Sequence, residues 1–396
     1  MENFKRSLFE GAVHKESGRK YSTANNRKLI MIGTGETGYF TQHFVPRLAP
    51  EVRRTDMCTV SNEAVHRLRL ASLLFATGFY ERLNFERPML AVDKTFDYCF
   101  EDVVSVDPEL GRLQFFGGSE LFYDYLILAC GRQRDPRSLK LCRWAVKDSS
   151  PIFDSESSDS LERLNETFES LHSGMTFDFL VMKNSRAGEV LSMAFIFREY
   201  FPGAEINLFL EDGHLFYPSL DASIEAHLAK ARINLIKNAR IEEDDQLGLV
   251  SLEGKVSQFL FFSPSKVVPE FLGPDLAPAS FDPSTLRHTK LSNVFAAGSF
   301  LDVNCGIRAK YCQSVTLCSN LDQQIKKDWF DQEPSFFSVE KEHSDAFLLG
   351  KRKVAFARGG ELVPAGLWDS WKFLNRDIFR YFHRLTKSAK FKGFFI

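Results

Sequence analysis

"KLIMIGTGETG", Lys28 to Gly38, runs an apolar stretch into Gly33, Gly35 and Gly38 at the spacing of a dinucleotide-binding turn. The apolar part predicts a buried strand. Gly33 suits the tight turn off that strand, Gly35 lets the backbone approach a diphosphate, and Gly38 lets the next helix pack close to the sheet. A diphosphate held there would sit on the positive end of a helix beginning near Thr37. Ordinary strand-to-helix turns use the same spacing, so the motif acquires meaning only from what surrounds it.

Downstream, "YFTQHFVPRLA" predicts a short helix interrupted by Pro46, and "DMCTV" (Asp56 to Val60) a second strand, completing a strand, helix, strand unit. "EDVVSV", a turn at "DPELG", "RLQFF", the Gly117-Gly118 turn and "ELFYDYLILACG" then read as an antiparallel stretch. The Ser/Asp-rich segment Asp148 to Ser160 reads as a domain linker. A second strand, helix, strand unit follows in "FDFLVM", "GEVLSMAFIFREYF" and "EINLFL", joined by the loop "KNSRAGE" (Lys183 to Glu189), which has one glycine where a phosphate-cradling turn wants three. A helix at "PSLDASIEAHLAKARI", further strands to about Pro264, a proline-rich crossover, the strand "LSNVFAAGS" (Leu291 to Ser299) and a helix-prone segment from Cys312 to Lys327 complete the pattern.

The 396 residues carry 52 acidic and 50 basic side chains, a balance that excludes a dedicated nucleic-acid or polyanion binder. Seven cysteines without CxxC spacing read as reduced thiols, and no zinc-ligand spacing occurs around Cys305, Cys312 and Cys318. No apolar run is long enough to span a bilayer. In residues 1–27, Lys5, Arg6, Lys15, Arg19 and Lys20 alternate with Phe4, Leu8, Phe9 and Val13, the pattern of a mitochondrial presequence. Glu2, Glu10 and Glu16 run against it, and a basic N-terminus on a cytoplasmic protein is the other reading.

"IGTGETG", "YDYLILACG" (Tyr123 to Gly131) and "NVFAAGS" (Asn293 to Ser299) occur in that order, with the second unit inserted between the latter two. This arrangement resembles the pyridine nucleotide-disulfide oxidoreductase superfamily along most of the chain. It is most similar to the sulfide:quinone oxidoreductases, with type II NADH dehydrogenases next. The resemblance implies an α/β fold of two Rossmann-like dinucleotide-binding domains with a C-terminal amphipathic helical segment. Residues 28–150 and 265–330 would form a discontinuous FAD-binding domain, 151–264 a second Rossmann-like domain without a glycine fingerprint, and 331–396 a membrane-surface or interface segment.

By the same resemblance Gly33, Thr34, Gly35, Glu36, Thr37 and Gly38 would contact the FAD diphosphate, Ala129, Cys130 and Gly131 would lie beside the cofactor, and Gly298 and Ser299 would face its ribityl chain. Ser299 stands where the family usually has an aspartate. Ser61 and Asn62 stand where it has an acidic residue for the adenosine ribose. Sulfide oxidation further requires thiols beside the flavin. The family cysteine of the second unit's first loop is replaced by Ser185, which leaves Cys305 and Cys142 as candidate catalytic thiols. Lys310 could lower a thiol pKa or face a flavin, and a solvated charge is its plainer reading.

At the C-terminus Leu367, Trp371, Leu374, Ile378, Phe382 and Leu385 fall on one helical face, with Lys372, Arg376, Arg380, Arg384 and Lys387 mostly elsewhere around it. Such a basic helix suits an anionic membrane surface or the protein's own core. Three functions are thus expected. In the first, electrons pass from a small sulfur-containing reductant through FAD to quinone, at the surface of the mitochondrial inner membrane and in a monomer or homo-oligomer. The second is a non-catalytic structural or binding subunit that keeps the fold, favoured by Ser61, Ser185 and Ser299. The third, NADH oxidation, is disfavoured by the glycine-poor loop.

Overall fold

The computed structural model describes residues 27–49, 51–52, 56–62, 65–68, 85–88, 96–147, 149–244, 248–339, 346–350, 353–358 and 360–366. Two five-stranded parallel sheets organise them. In the first, the strand order is Asp97–Cys99, Asp56–Val60, Lys28–Ile32, Tyr125–Leu128 and Val294–Ala296. The sequence order reverses between Lys28–Ile32 and Tyr125–Leu128, which places a switch point beside the glycine turn. Both strands are apolar along their length because helices and loops bury both faces of the sheet.

The second sheet repeats the first four places of this order with Asn234–Lys237, Glu205–Leu210, Thr176–Val181 and Leu260–Ser263, and its fifth place is taken by Ile152–Asp154 from earlier in the chain. Its core is rich in phenylalanine: Phe177, Phe179, Phe197, Phe259 and Phe261 are fully buried, and their rings meet at centroid distances of 4.9–6.2 Å with Phe201 included. The helix Ala187–Tyr200 follows "KNSRAGE" and packs on this sheet. The helix Ile307–Phe330 returns to the first sheet and packs along the helix Glu36–Leu48 that leaves the glycine turn. Pro46 lies inside the latter, which ends two residues later.

The Ser/Asp-rich stretch is not a linker. Ile152–Asp154 pairs in parallel with Leu260–Ser263, and Ser157 caps the helix Ser158–Thr167, its Oγ accepting from the Ser160 amide at 3.3 Å. Of the serines and aspartates that suggested a loop, Ser157 is the cap of this helix, Ser160 Oγ accepts from the Asp154 amide and Asp154 Oδ1 from the Glu156 amide. Ala346–Leu348, Val354–Arg358 and Glu361–Pro364 form an antiparallel sheet laid on the second unit. The Leu348 amide donates to Ser192 Oγ, the Leu362 amide donates to Ser223 Oγ, and Phe347 meets the ring of Phe216. The basic amphipathic segment from Leu367 and the first 26 residues lie outside the described residues. Among the described residues no helix is long and apolar enough to cross a membrane.

Candidate cofactor site

The three motifs converge at the carboxyl end of the first sheet. Gly33 has φ +109°, and a Cβ there would fall 2.4 Å from the Ala129 carbonyl oxygen, so only glycine lets the first and second motifs approach this closely. A Cβ on Gly38 would meet the Gly33 carbonyl at 2.2 Å. The third motif closes on the same helix. Gly298, at φ +78°, lies so near Thr37 that a Cβ would fall 1.9 Å from Thr37 Oγ1, and its amide donates to Gln313 Oε1 at 2.7 Å. Arg132 ties the second motif to the third through the carbonyls of Phe300 and Leu301. A Cβ on Gly35, in contrast, would meet nothing within 4 Å, which leaves this part of the turn open to a ligand.

A cavity of about 220 Å³ lies among these segments, lined by Thr34, Gly35, Glu36, Thr37, Ala129, Cys130, Gly131 and Ser299 from the expected set. Arg132, Arg186, Lys266, Lys310 and Glu156 add further charged side chains to its wall. Lys310 is 2% exposed and therefore not a solvated charge. Its Nζ donates to Glu36 Oε2, and Arg186 Nη2 reaches the same oxygen at 3.4 Å. Lys266 pairs with Glu156 beside them. Burial alone would raise the pKa of Glu36, but Lys310 and Arg186 outweigh it and hold the carboxyl below its ordinary value. Glu156 is lowered in the same way, burial being outweighed by Lys266 and Arg186.

At the adenosine end Ser61 Oγ and Thr34 Oγ1 share a 3.0 Å hydrogen bond, and Asn62 is exposed. Glu63, the acidic residue two positions after Ser61, lies outside the described residues. Ser299 is half-buried near Gly131. Cys142 packs with Leu141, Trp144, Ala145 and Ile152 on the outer face of the second sheet, away from the cavity. Burial and the nearby Asp154 push its pKa up to about 12. Cys305 is buried outside the cavity lining, and its charge interaction is with Arg186. Cys130 does line the cavity, but burial pushes its thiol up to about 12 as well, so it is protonated at neutral pH.

A second cavity, of about 720 Å³, lies at the carboxyl ends of the second sheet and is lined by Lys183, Ser185, His214, Lys237, Val303 and Asn304 among others. Ser185 is buried, and its Oγ has no hydrogen-bond partner among the described residues. The amides opening the helix Ala187–Tyr200 are engaged by the protein itself. The Arg186 amide donates to Ser263 Oγ at 3.1 Å and the Ala187 amide to Asn304 Oδ1 at 3.0 Å. Among the described residues no His, Cys, Asp and Glu group could hold a metal ion.

FAD fits the outline of this site but not its contents. The turn geometry is that of a diphosphate cradle, yet Glu36 within the turn lines the cavity and is paired with Lys310 and Arg186. The cavity is also below the roughly 300 to 1,000 Å³ of ordinary small-molecule sites, and a dinucleotide belongs at the upper end of that range. Arg186, Glu156 and Lys266 were not singled out from sequence, although the arginine of "KNSRAGE", directly preceding a helix, was a legible signal.

No protein-family model matches the sequence, and no curated protein does. Solved structures do match. The sulfide:quinone oxidoreductase of Aquifex aeolicus superposes with a TM-score of 0.64 at 15% identity, covering 93% of this chain and 96% of that one. A chain of the Tetrahymena thermophila mitochondrial ATP synthase gives 0.72 at 12% identity, covering 93% and 98%. NDH2 of Plasmodium falciparum gives 0.57 at 12% identity, covering 88% and 94%. A water-forming NADPH oxidase and a putidaredoxin reductase also match. At these identities the likeness is one of architecture: the chain has the two-unit α/β fold of the FAD-dependent pyridine nucleotide-disulfide oxidoreductases.

Proposed function

We propose that this chain uses a flavoenzyme fold without its reaction, as a structural subunit of a larger mitochondrial assembly. One observation carries the reading: the junction of the three motifs is a 220 Å³ cavity walled by paired charges, and its lining thiol, Cys130, is held protonated. Such a site offers neither the room for a flavin nor a nucleophile for sulfide. The TM-score of 0.72 to a chain within the Tetrahymena mitochondrial ATP synthase supports the assembly, and the presequence-like N-terminus supports the compartment.

The second reading is a sulfide:quinone oxidoreductase-like flavoenzyme at a membrane surface, with FAD, a sulfur-containing reductant and quinone as its partners. The open space over Gly35 and the likeness to the Aquifex enzyme favour it. NADH oxidation finds less support, because Ser263 and Asn304 already engage the amides that would meet NADH phosphates at the second helix.

The test is native electrophoresis of the tagged full-length protein from detergent-solubilised mitochondria, with sulfide-dependent quinone reduction assayed in the same fractions. Migration in a complex much larger than one chain, without that activity, is the expected result. Migration as a monomer or dimer with FAD-dependent quinone reduction overturns the proposal.

A further inference from the structure

We infer that Glu36 is a built-in anion, standing where a dinucleotide's diphosphate would otherwise bind, so that the fold is completed by one of its own side chains instead of a cofactor. This deepens the non-catalytic reading and rests on it in supposing that no flavin is needed at the same place.

Glu36 opens the helix Glu36–Leu48, whose N-cap is Gly35 with no side-chain cap of its own. The first turn of a helix attracts negative charge, and this carboxylate is the acidic group in that turn. Its partners come from far away in sequence. Lys310 arrives from the closing helix and Arg186 from the loop that begins the second unit. Lys310 is 2% exposed and Glu36 9%, so neither charge could remain buried without the other. Three segments that a bound dinucleotide would bridge are thus bridged by one carboxylate.

The surrounding polar groups are closed off in the same manner. Thr34 bonds to Ser61 at the adenosine end, and the Gly298 amide bonds to Gln313 at the ribityl end. Asn304 and Ser263 engage the amides at the start of the second helix. A carboxylate carries less charge than a diphosphate, and the balance around Arg186 is made up by Glu156 and Glu189. Lys310 and Arg186 are thus engaged by Glu36, and Lys266 by Glu156, so an incoming polyanion finds these cations already paired. Removing the carboxylate charge should free Lys310 and Arg186 for it.

The experiment uses the full chain, with inorganic pyrophosphate as the probe and thermal unfolding as the readout. At constant ionic strength, wild-type protein should show no saturable rise in Tm with pyrophosphate. Glu36→Gln, which leaves Lys310 and Arg186 without their carboxylate, should gain a saturable rise. Glu36→Gln combined with Lys310→Met should lose it. If Glu36→Gln does not fold in dilute buffer, refolding by pyrophosphate and not by chloride supports the inference, and failure to refold in both overturns it. Saturable stabilisation of the wild type by pyrophosphate, or none in a folded Glu36→Gln, also overturns it. Either result would leave the non-catalytic reading standing, since that reading is tested separately, by the size of the native assembly and by flavin-dependent quinone reduction.

Discussion

Replacing Lys310 by methionine probes the buried charge cluster most sharply. Methionine keeps the volume and flexibility of the lysine stem and removes only the ammonium, so packing is largely preserved. Glu36 is then left with Arg186 at 3.4 Å as its remaining cation. Deleting one partner of a buried ion pair costs about 3 to 5 kcal/mol, and the remaining arginine argues for the lower end, about 3 kcal/mol. For a cooperative unit of about 150 to 250 residues, each kcal/mol moves Tm by about 2 to 4 °C, so a drop of about 6 to 12 °C is expected.

The pH dependence has a definite sign. In the wild type the Glu36 pKa is held below its ordinary value of 4.5, so its contribution is fully present above that pH and is lost as the pH falls through the lowered folded value. In Lys310→Met the main attraction is gone and burial governs, raising the Glu36 pKa. Protonation of Glu36 then relieves the variant, and its deficit should narrow as the pH is lowered from neutral toward 5. The double variant Glu36→Gln/Lys310→Met should be more stable than Lys310→Met alone, because no unpaired carboxylate remains. Calorimetry of the three proteins across pH is the assay. A Tm for Lys310→Met within about 2 °C of wild type at pH 7 would refute the buried-pair reasoning.

Gly298→Ala should cost at least about 1 to 2 kcal/mol for the left-handed backbone, and more for the overlap with Thr37, part of which Thr37→Ala should relieve; an unchanged thermal transition would contradict the close approach. Ser185→Ala removes a buried hydroxyl without a partner and should leave stability unchanged or raise it by about 1 kcal/mol, whereas a clear loss in denaturant titration would reveal an unsuspected partner. Cys130 and Cys142, both pushed up to about 12, should resist iodoacetamide at pH 8 until urea unfolds the chain, as peptide mass spectrometry would register; rapid native modification of Cys130 would point to a reactive thiol at the cavity.

Much of the architecture was legible because parallel strands buried on both faces announce themselves as apolar runs. "KLIMI" and "EINLFL" sit where their patterns place them, and the antiparallel strands between Val103 and Phe122 follow their turn glycines; "ELFYDYLILACG", read as part of that antiparallel stretch, divides instead into Glu120–Phe122 and the strand Tyr125–Leu128, which pairs in parallel in the first sheet. The segment from Asp148 to Ser160 was misread because capping and loop residues share a vocabulary: Ser157 and Asp154 serve a helix start and a buried strand end. The sheet from Ala346 to Pro364 had a readable hairpin signal in "VAFARGGELV", obscured by attention to the aromatic tail beyond it.

The site was half legible. Local glycine spacing located the turn, but no local pattern says that Glu36 will meet Lys310 across 274 residues or that Arg186 will reach it from a separate sheet. Charge pairing across a fold is a property of topology. Cys142 was placed near the flavin by its position after the second motif; in the fold it packs with Leu141, Trp144 and Ile152 beside the buried Asp154, outside the cavity lining.

The most direct measurement is the flavin content of the full-length protein, purified from cells supplied with riboflavin, taken from its absorption spectrum and from flavin released on denaturation. The expected result is a folded, colourless protein that melts cooperatively and whose transition does not move when FAD is added. A yellow protein holding one flavin per chain, bleached by sulfide or by NADH, would contradict it.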